Sequence, residues 1–230
     1  YGINQTLHGN VGKNMNFPNT VKPNTSFWQG KKVLVTGHTG FKGSWLTIWL
    51  LQMKSIVSGI SLIPENSNNL FDELKIEKDI NHIICDIRNK EEVKKHIQKI
   101  NPDIVFHLAA QPLVVKSYKD PVGTWETNVM GTINILESIK SLNNNCTGVF
   151  ITTDKVYKNN EWIYGYREND ELGGYDPYSS SKAACEIAIS SWRSSFDIKG
   201  SSPKSTFSLA SARAGNVIGG GDWSETVSYT

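Results

Sequence analysis

The stretch Lys32-Val33-Leu34-Val35-Thr36-Gly37-His38-Thr39-Gly40-Phe41-Lys42-Gly43-Ser44-Trp45 decides the fold. A short β-branched run, KVLVT, halts at a glycine and gives way to a long apolar segment, which reads as a buried strand turning directly into a helix. The three glycines are spaced GxxGxxG rather than GxGxxG. Glycines at such a turn permit a tight bend, close approach of the backbone to a pyrophosphate and close packing of helix on strand. The phosphates would then meet the positive N-terminus of the helix. An ordinary βα turn carries glycines too, but the flanking strand and helix favour a dinucleotide site. Gly37, His38, Gly40, Phe41, Lys42 and Gly43 are its candidate residues.

Outward from this turn, strand and helix patterns alternate. A helix is predicted over Lys42–Lys54, with Trp45, Ile48, Trp49 and Gln52 on one stripe and Leu46, Leu50 and Met53 on the next. Being apolar nearly all round, it is expected to be buried. Ser55–Leu62, His82–Cys85, Asp103–Leu108, Gly148–Thr152 and Thr206–Ala212 read as further strands. Asn89–Ile100 is an amphipathic helix. Asp120-Pro121 is a helix start, an N-cap acceptor followed by proline at the first helical position. That helix runs to about Ser141 with Trp125, Val129, Ile133 and Leu136 expected inward, and Pro177–Ser195 is another. Alternation at these lengths implies an α/β doubly wound parallel sheet, a Rossmann-type domain.

Composition narrows the function. The 230 residues are 38% apolar and 20% charged, with Lys+Arg 24 against Asp+Glu 22, so a packed core is feasible and nucleic acid has no basic stripe to bind. Cys85, Cys146 and Cys185 lie far apart, which argues against a disulfide framework or a metal site and for reduced thiols. No stretch approaches the roughly 20 apolar residues of a membrane span, and a cytoplasmic location is expected. Tyr1–Ser26 is Asn-rich and reads as a poorly ordered leader, with Met15 a candidate start, while the chain stops at Thr230 in a stretch with no terminating pattern.

Two groupings carry chemistry. Tyr178 and Lys182 stand four apart, on one helix face, where a cation beside a phenol would favour the phenolate and make a base for a sugar hydroxyl. Thr152-Thr153-Asp154-Lys155 ends a strand at the carboxyl edge, where open α/β sheets bind ligands. A solvated Asp–Lys pair at a strand end is the plainer alternative. Asn128 is a polar residue between apolar helix neighbours and a candidate brace for the lysine. Asp86 is placed for an adenine, or for a helix cap. Small residues at Ala109-Ala110, between His107 and Gln111, leave room for a cofactor, while His107 reads as a satisfied strand histidine. The second strand ends in Ser61-Leu62-Ile63, with no acid for an adenosine ribose until Glu65 and no arginine for a 2′-phosphate, which favours NAD over NADP.

VTGHTGFKGSW (Val35–Trp45), FHLAAQPLV (Phe106–Val114), TNVMGT (Thr127–Thr132), TTDKVYKNNEW (Thr152–Trp162), GYRENDELGGYDPYSSSK (Gly165–Lys182) and SARAGNVIGGGDW (Ser211–Trp223) together resemble the extended short-chain dehydrogenase/reductase family. Within it they are similar to the CDP-glucose 4,6-dehydratases, in which Asp154-Lys155 stands where dTDP-glucose dehydratases carry Asp-Glu. The resemblance implies NAD as cofactor, held by the glycine loop, Asp86, Ile87, Leu108, Ala109, Ala110, Tyr178 and Lys182. It implies CDP-glucose as substrate, met by Gln111, Arg213 and Asn216, and catalysis by Thr153, Asp154, Lys155, Tyr178, Lys182 and Asn128. It also implies a homodimer built through the two long helices. The match ends at Trp223, and the non-matching Ser224–Thr230 leads to the expectation of C-terminal truncation, with a substrate domain missing. A nucleotide-sugar 4-epimerase, a dTDP-glucose dehydratase and a catalytically silent NAD-binding module are the alternatives.

Overall fold

The computed structural model describes residues 24–64, 69–196 and 207–222. The predicted leader lies outside them up to residue 23, as do Glu65 and Trp223. Asn24–Ser26, assigned to the leader, are instead ordered: Asn24 caps a short helix α1 (Thr25–Trp28) through its side chain.

Among the described residues, six strands form one parallel sheet. They are β1 (Lys32–Thr36), β2 (Ile56–Ser61), β3 (Asn81–Ile84), β4 (Ile104–His107), β5 (Cys146–Thr153) and β6 (Phe207–Ala214). Their spatial order is β3-β2-β1-β4-β5-β6. The chain therefore winds outward from β1 in one direction and from β4 in the other, and a crevice opens where the order reverses, between the carboxyl ends of β1 and β4. Both faces of the sheet are covered. Leu34, Ile60, Val105, Phe150 and Leu209 pack on one side against the helices α4 (Lys90–Ile100), α7 (Gly131–Lys140) and α8 (Pro177–Phe196). Val33, Val35, Val57 and Ile104 pack on the other against Leu50 and Met53. This split follows from the two-residue period of a strand. Each such fully buried side chain contributes roughly 1.5–3 kcal/mol.

The helix after β1, α2 (Phe41–Gln52), departs from expectation. It buries Gly43, Ser44, Thr47 and Leu50, while Trp45 and Trp49 are each 49% exposed. The small residues, not the tryptophans, face the sheet, because only they allow the close approach that the glycine turn sets up. The predicted Asp120–Ser141 helix is also subdivided. A short α5 (Val114–Lys119) precedes α6 (Pro121–Trp125), and the chain passes through a π-helical turn, Glu126–Met130, into α7. Asp120 caps α6 at the backbone N–H of Gly123. Leu136 is buried, whereas Trp125 points outward and is 41% exposed. The π turn explains this, since its extra residue rotates the apolar stripe between α6 and α7. A short helix α3 (Leu70–Glu73) follows β2.

Candidate active site

The glycine turn is built by steric necessity. Gly37 has φ +73°, and a Cβ there would lie 2.8 Å from the backbone N of Ala109. A Cβ on Gly43 would lie 2.1 Å from the Gly37 carbonyl oxygen. The glycines thus bring β1, α2 and the segment after β4 together. Gly40 is the N-cap of α2 and, lacking a side chain, makes no cap bond to the first amides of that helix. At the far side of the turn, Thr36 Oγ1 accepts from the amides of Leu108 and Ala109, both at 3.2 Å, and joins His107 Nδ1 at 2.7 Å. His107 Nε2 lies 3.1 Å from Thr132 Oγ1, and burial first, then the Lys182 charge, takes its pKa down to about 3. It is the satisfied strand histidine that its sequence position suggests.

His38 contributes to the crevice through its backbone. Its ring is fully buried, 2.6 Å from His82 Nδ1 and edge-on to Phe71, in space that a Cβ on Gly59 would fill. The His38 side chain is thus turned away from the crevice. Phe41 lies half-buried under Gly219. Lys42 is exposed at the start of α2, its pKa lowered by local burial and drawn back by Asp222. Asp86 is held by Arg88, which donates from Nη2 at 2.6 Å and from Nε at 2.9 Å and keeps the carboxyl below its ordinary range. The Ile87 side chain is in the core against Gly131 and its carbonyl accepts from Asn134, so its side chain too is turned from the crevice. Ala110 is half-buried beside these groups.

The second half of the site forms where β5 meets α8. Asp176 caps α8, accepting from the Ser179 amide at 2.9 Å and the Ser179 hydroxyl at 2.5 Å. With Pro177 at the first helical position, this fixes where Tyr178 and Lys182 begin their shared face. Lys182 is buried and donates to the Ile151 carbonyl at 3.2 Å. Burial lowers its pKa, Lys42 adds to that, and Cys185 and Glu186 oppose it. The Tyr178 phenol is raised above its ordinary value, by burial first, with a hydrogen bond to Thr153 pulling the other way and Asp154 adding to the rise. The expected lowering by Lys182 is not seen: burial outweighs the Thr153 hydrogen bond, and the neighbouring anions add to the rise. Thr153 is buried, donates to Asp154 Oδ1 at 3.1 Å and accepts from the Lys155 amide at 3.3 Å. The Asp154 and Lys155 side chains are exposed at the strand end.

Asn128, in the π turn, is 1% exposed. Its Oδ1 accepts from the Gln111 amide at 2.8 Å, and its Nδ2 donates to Ser181 Oγ at 2.8 Å. It braces the loop after β4 against α8 rather than touching Lys182. The Gln111 carboxamide is engaged locally, with Leu113 and Thr124. The Arg213 guanidinium donates to Glu186 Oε2 at 3.0 Å and to the Glu168 carbonyl at 2.9 Å, and lies over the Tyr157 ring. Asn216 is exposed just past β6. Sequence reasoning missed Glu186, which is buried one helical turn beyond Lys182; its spacing of four from Lys182 and eight from Tyr178 was the available signal.

The parallel six-stranded sheet, reversing between β1 and β4, agrees with the comparisons. A profile of the family described as GDP-mannose 4,6 dehydratase matches residues 34–216. The chain belongs to this family. Among curated members, the CDP-glucose 4,6-dehydratase of Salmonella typhimurium is 50% identical over 200 residues, covering 87% of this chain and 56% of that protein. The CDP-paratose 2-epimerase of Salmonella typhi is 34% identical over 171 residues, covering 67% of this chain and 51% of the other. The chain thus spans about half the length of the curated relatives it matches. Among solved structures, the Thermus thermophilus UDP-glucose 4-epimerase in complex with NAD is similar with a TM-score of 0.64 and 27% identity, over 79% of this chain and 54% of that one. In this dehydratase-family chain, the residues at the crevice fit a dinucleotide. A Cβ on Gly40 would meet nothing nearer than the Gly37 carbonyl at 3.4 Å, which leaves the space beside the α2 amides open. No helix among the described residues is long and apolar enough to cross a membrane, and none of their His, Cys, Asp and Glu side chains cluster to hold a metal ion.

Proposed function

We propose that this chain is the cofactor-binding and catalytic portion of a hydro-lyase that converts CDP-D-glucose to CDP-4-dehydro-6-deoxy-D-glucose and water. The 50% identity to the Salmonella CDP-glucose 4,6-dehydratase carries the reading, and the juxtaposition of Tyr178 with Thr153-Asp154-Lys155 supports it. Gly37, Gly40, Lys42 and Gly43, with the backbone of His38 and Phe41, would hold NAD, and Asp86, Leu108, Ala109 and Ala110 would line its far end. Bound there, NAD supplies an oxidant for the sugar C4 carbon, a reductant for C6, and a positively charged ring in the site.

Tyr178 would take the proton of the 4-hydroxyl. Burial holds its phenol high, so added positive charge near the phenol is needed for it to act as a base at neutral pH. Lys182, fixed on the Ile151 carbonyl, supplies one such charge when protonated. Thr153, already bonded to Tyr178, would orient the 4-oxygen. Once C4 is a ketone the C5 proton becomes acidic, and the exposed Lys155 is the group at the strand end able to remove it. Asp154 would give a proton to the departing 6-hydroxyl, and the proton at C5 is then restored. Gln111, Arg213 and Asn216 are the substrate-side residues, with Arg213 reaching substrate from its bonds to Glu186 and Glu168.

The surroundings follow from the same reading. The cytoplasm and deoxysugar supply for O-antigen-type polysaccharides are the setting. The exposed Val122, Trp125 and Met130 of α6 and its π turn, with Ile187 of α8, support a homodimer through these helices.

The test offers the purified protein CDP-glucose, dTDP-glucose and UDP-glucose separately with NAD⁺ and assays 4-keto-6-deoxy sugar. Product from CDP-glucose, lost in Tyr178→Phe, is the expected result. Product from dTDP-glucose instead, or epimerised UDP-sugar, would move the assignment to those branches, and NAD binding with no turnover would leave a dinucleotide-binding module. Full-rate C5 hydrogen exchange in Lys155→Ala would overturn the role given to Lys155.

A further inference from the structure

Glu186 is a carboxylate 3% exposed on the inner face of α8, and its side-chain hydrogen bonds reach across to β5 and β6. It accepts from Thr152 Oγ1 on β5 at 2.5 Å, from Ser211 Oγ on β6 at 2.8 Å and from Arg213 Nη2 on β6 at 3.0 Å. Burial pushes its carboxyl up, but Arg213, Thr152 and Ser211 together more than offset that and hold it below its ordinary range. The register pairs Thr152 with Arg213 and Thr153 with Ala214, so the acid grips two neighbouring strands at the level where both reach the crevice.

We propose that Glu186 is a positioning residue that locks the helix face of Tyr178 and Lys182 to the strand ends carrying Thr153, Asp154 and Lys155. Three elements meet at the site, and each brings reacting groups from a different part of the chain. The backbone ladder couples β5 to β6 but not α8 to either. Lys182 ties α8 to β5 at Ile151, at the residue before Thr152, and Glu186 adds a charged clamp one turn further along. A clamp made of oriented hydrogen bonds fixes a register that apolar packing alone leaves free to slide, a specificity role attested for buried charges elsewhere. Arg213 carries the clamp outward. Its guanidinium lies 4.9 Å over the Tyr157 ring, which stacks on Tyr166 at 5.0 Å, so the segment following Asp154-Lys155 is tied to the same acid.

The role rests on the proposed chemistry of Tyr178 and Lys182, but its test needs neither substrate nor cofactor. The purified chain, labelled with ¹⁵N at lysine Nζ, is titrated by NMR, with the Lys182 signal assigned through Lys182→Arg. Lys182 faces Cys185 and Glu186 on its own helix, Lys42 from α2 and His107 from β4, and of these Glu186 is an anion that favours its proton. In Glu186→Gln the Lys182 titration is expected at lower pH, and Glu186→Asp is expected to bring it back toward wild type. An unchanged midpoint in Glu186→Gln overturns the proposal. Thr152→Val keeps both charges and removes one arm of the clamp, which covers the case in which Glu186→Gln does not fold. Its amide hydrogen exchange is expected to rise roughly tenfold at Thr153–Val156 and Tyr178–Lys182 while α4 is unchanged. Unchanged exchange there, or an equal rise throughout, also overturns it. Failure of the dehydratase assay with these results intact would sink the reaction and leave the clamp.

Discussion

Replacing Gly40 and Gly43 separately by alanine should split two roles that a glycine motif ordinarily confounds. At Gly43 a Cβ would sit 2.1 Å from the Gly37 oxygen, 2.7 Å from the His38 Cα and 2.8 Å from the Gly37 carbonyl carbon. All three are backbone atoms, so no flexible side chain can give way, and the cost falls at the upper end of the roughly 1–3 kcal/mol typical of overpacking, or above it. Alanine recovers at most about 1 kcal/mol of helix propensity. The net loss is therefore about 2 kcal/mol or more, which for a chain of this size lowers the melting temperature by roughly 4–8 °C. At Gly40 the same atom meets one backbone oxygen at 3.4 Å, an ordinary contact, and the residue is an N-cap, where alanine costs about 1 kcal/mol. That Cβ would nevertheless stand beside the first amides of α2. Gly40→Ala should keep most of its thermal stability and lose NAD affinity at least tenfold by calorimetric titration, whereas Gly43→Ala should lose stability first. Wild-type stability in Gly43→Ala, or wild-type NAD affinity in Gly40→Ala, would refute the reasoning.

Acid should destabilise the fold before its carboxylates titrate. Burial, then the neighbouring His82, lowers the His38 pKa to about 4 from 6.5. The native state therefore binds fewer protons than the unfolded one in between, and stability present above pH 6.5 is lost as pH falls toward 4, by up to about 3 kcal/mol. His107, lowered to about 3, acts in the same direction. Urea midpoints measured from pH 7.5 to 4.5 check this, and a flat profile would refute it. Trp125→Glu places a charge on the exposed apolar face of α6. It should give a monomer by sedimentation with a melting temperature near wild type if that face is the dimer seam, and an unchanged association state would exclude the seam.

Most strands were legible because they are short runs with β-branched residues whose places follow from alternation with helices; β1 agrees to the residue, while β6 (FSLASARA) has no β-branched residue. What periodicity cannot supply is which face of a helix meets the sheet. In α2 the tryptophans and Leu50 lie on adjoining stripes, and hydrophobicity alone ranks the tryptophans inward. The turn at Gly37 and Gly43 requires backbone contact, so the side with Gly43, Ser44 and Thr47 wins. In the long helix the expected stripe holds at Leu136 in α7 but fails at Trp125 in α6, because the extra residue of the π turn is invisible to a fixed period. The site divides in the same way. Tyr178, Lys182 and Thr153 could be placed by spacing and by strand ends, since both are local. His38 and Gln111 sit in the loops after β1 and β4, and their side chains answer to neighbours distant in sequence: His38 to His82, through the space left at Gly59, and Gln111 to Thr124. Glu186 is the extreme case. Locally it is one more acid on a helix, and what makes it an anchor is the β5–β6 register, which sets Thr152 beside Arg213 and is fixed by strands some sixty residues apart in the chain.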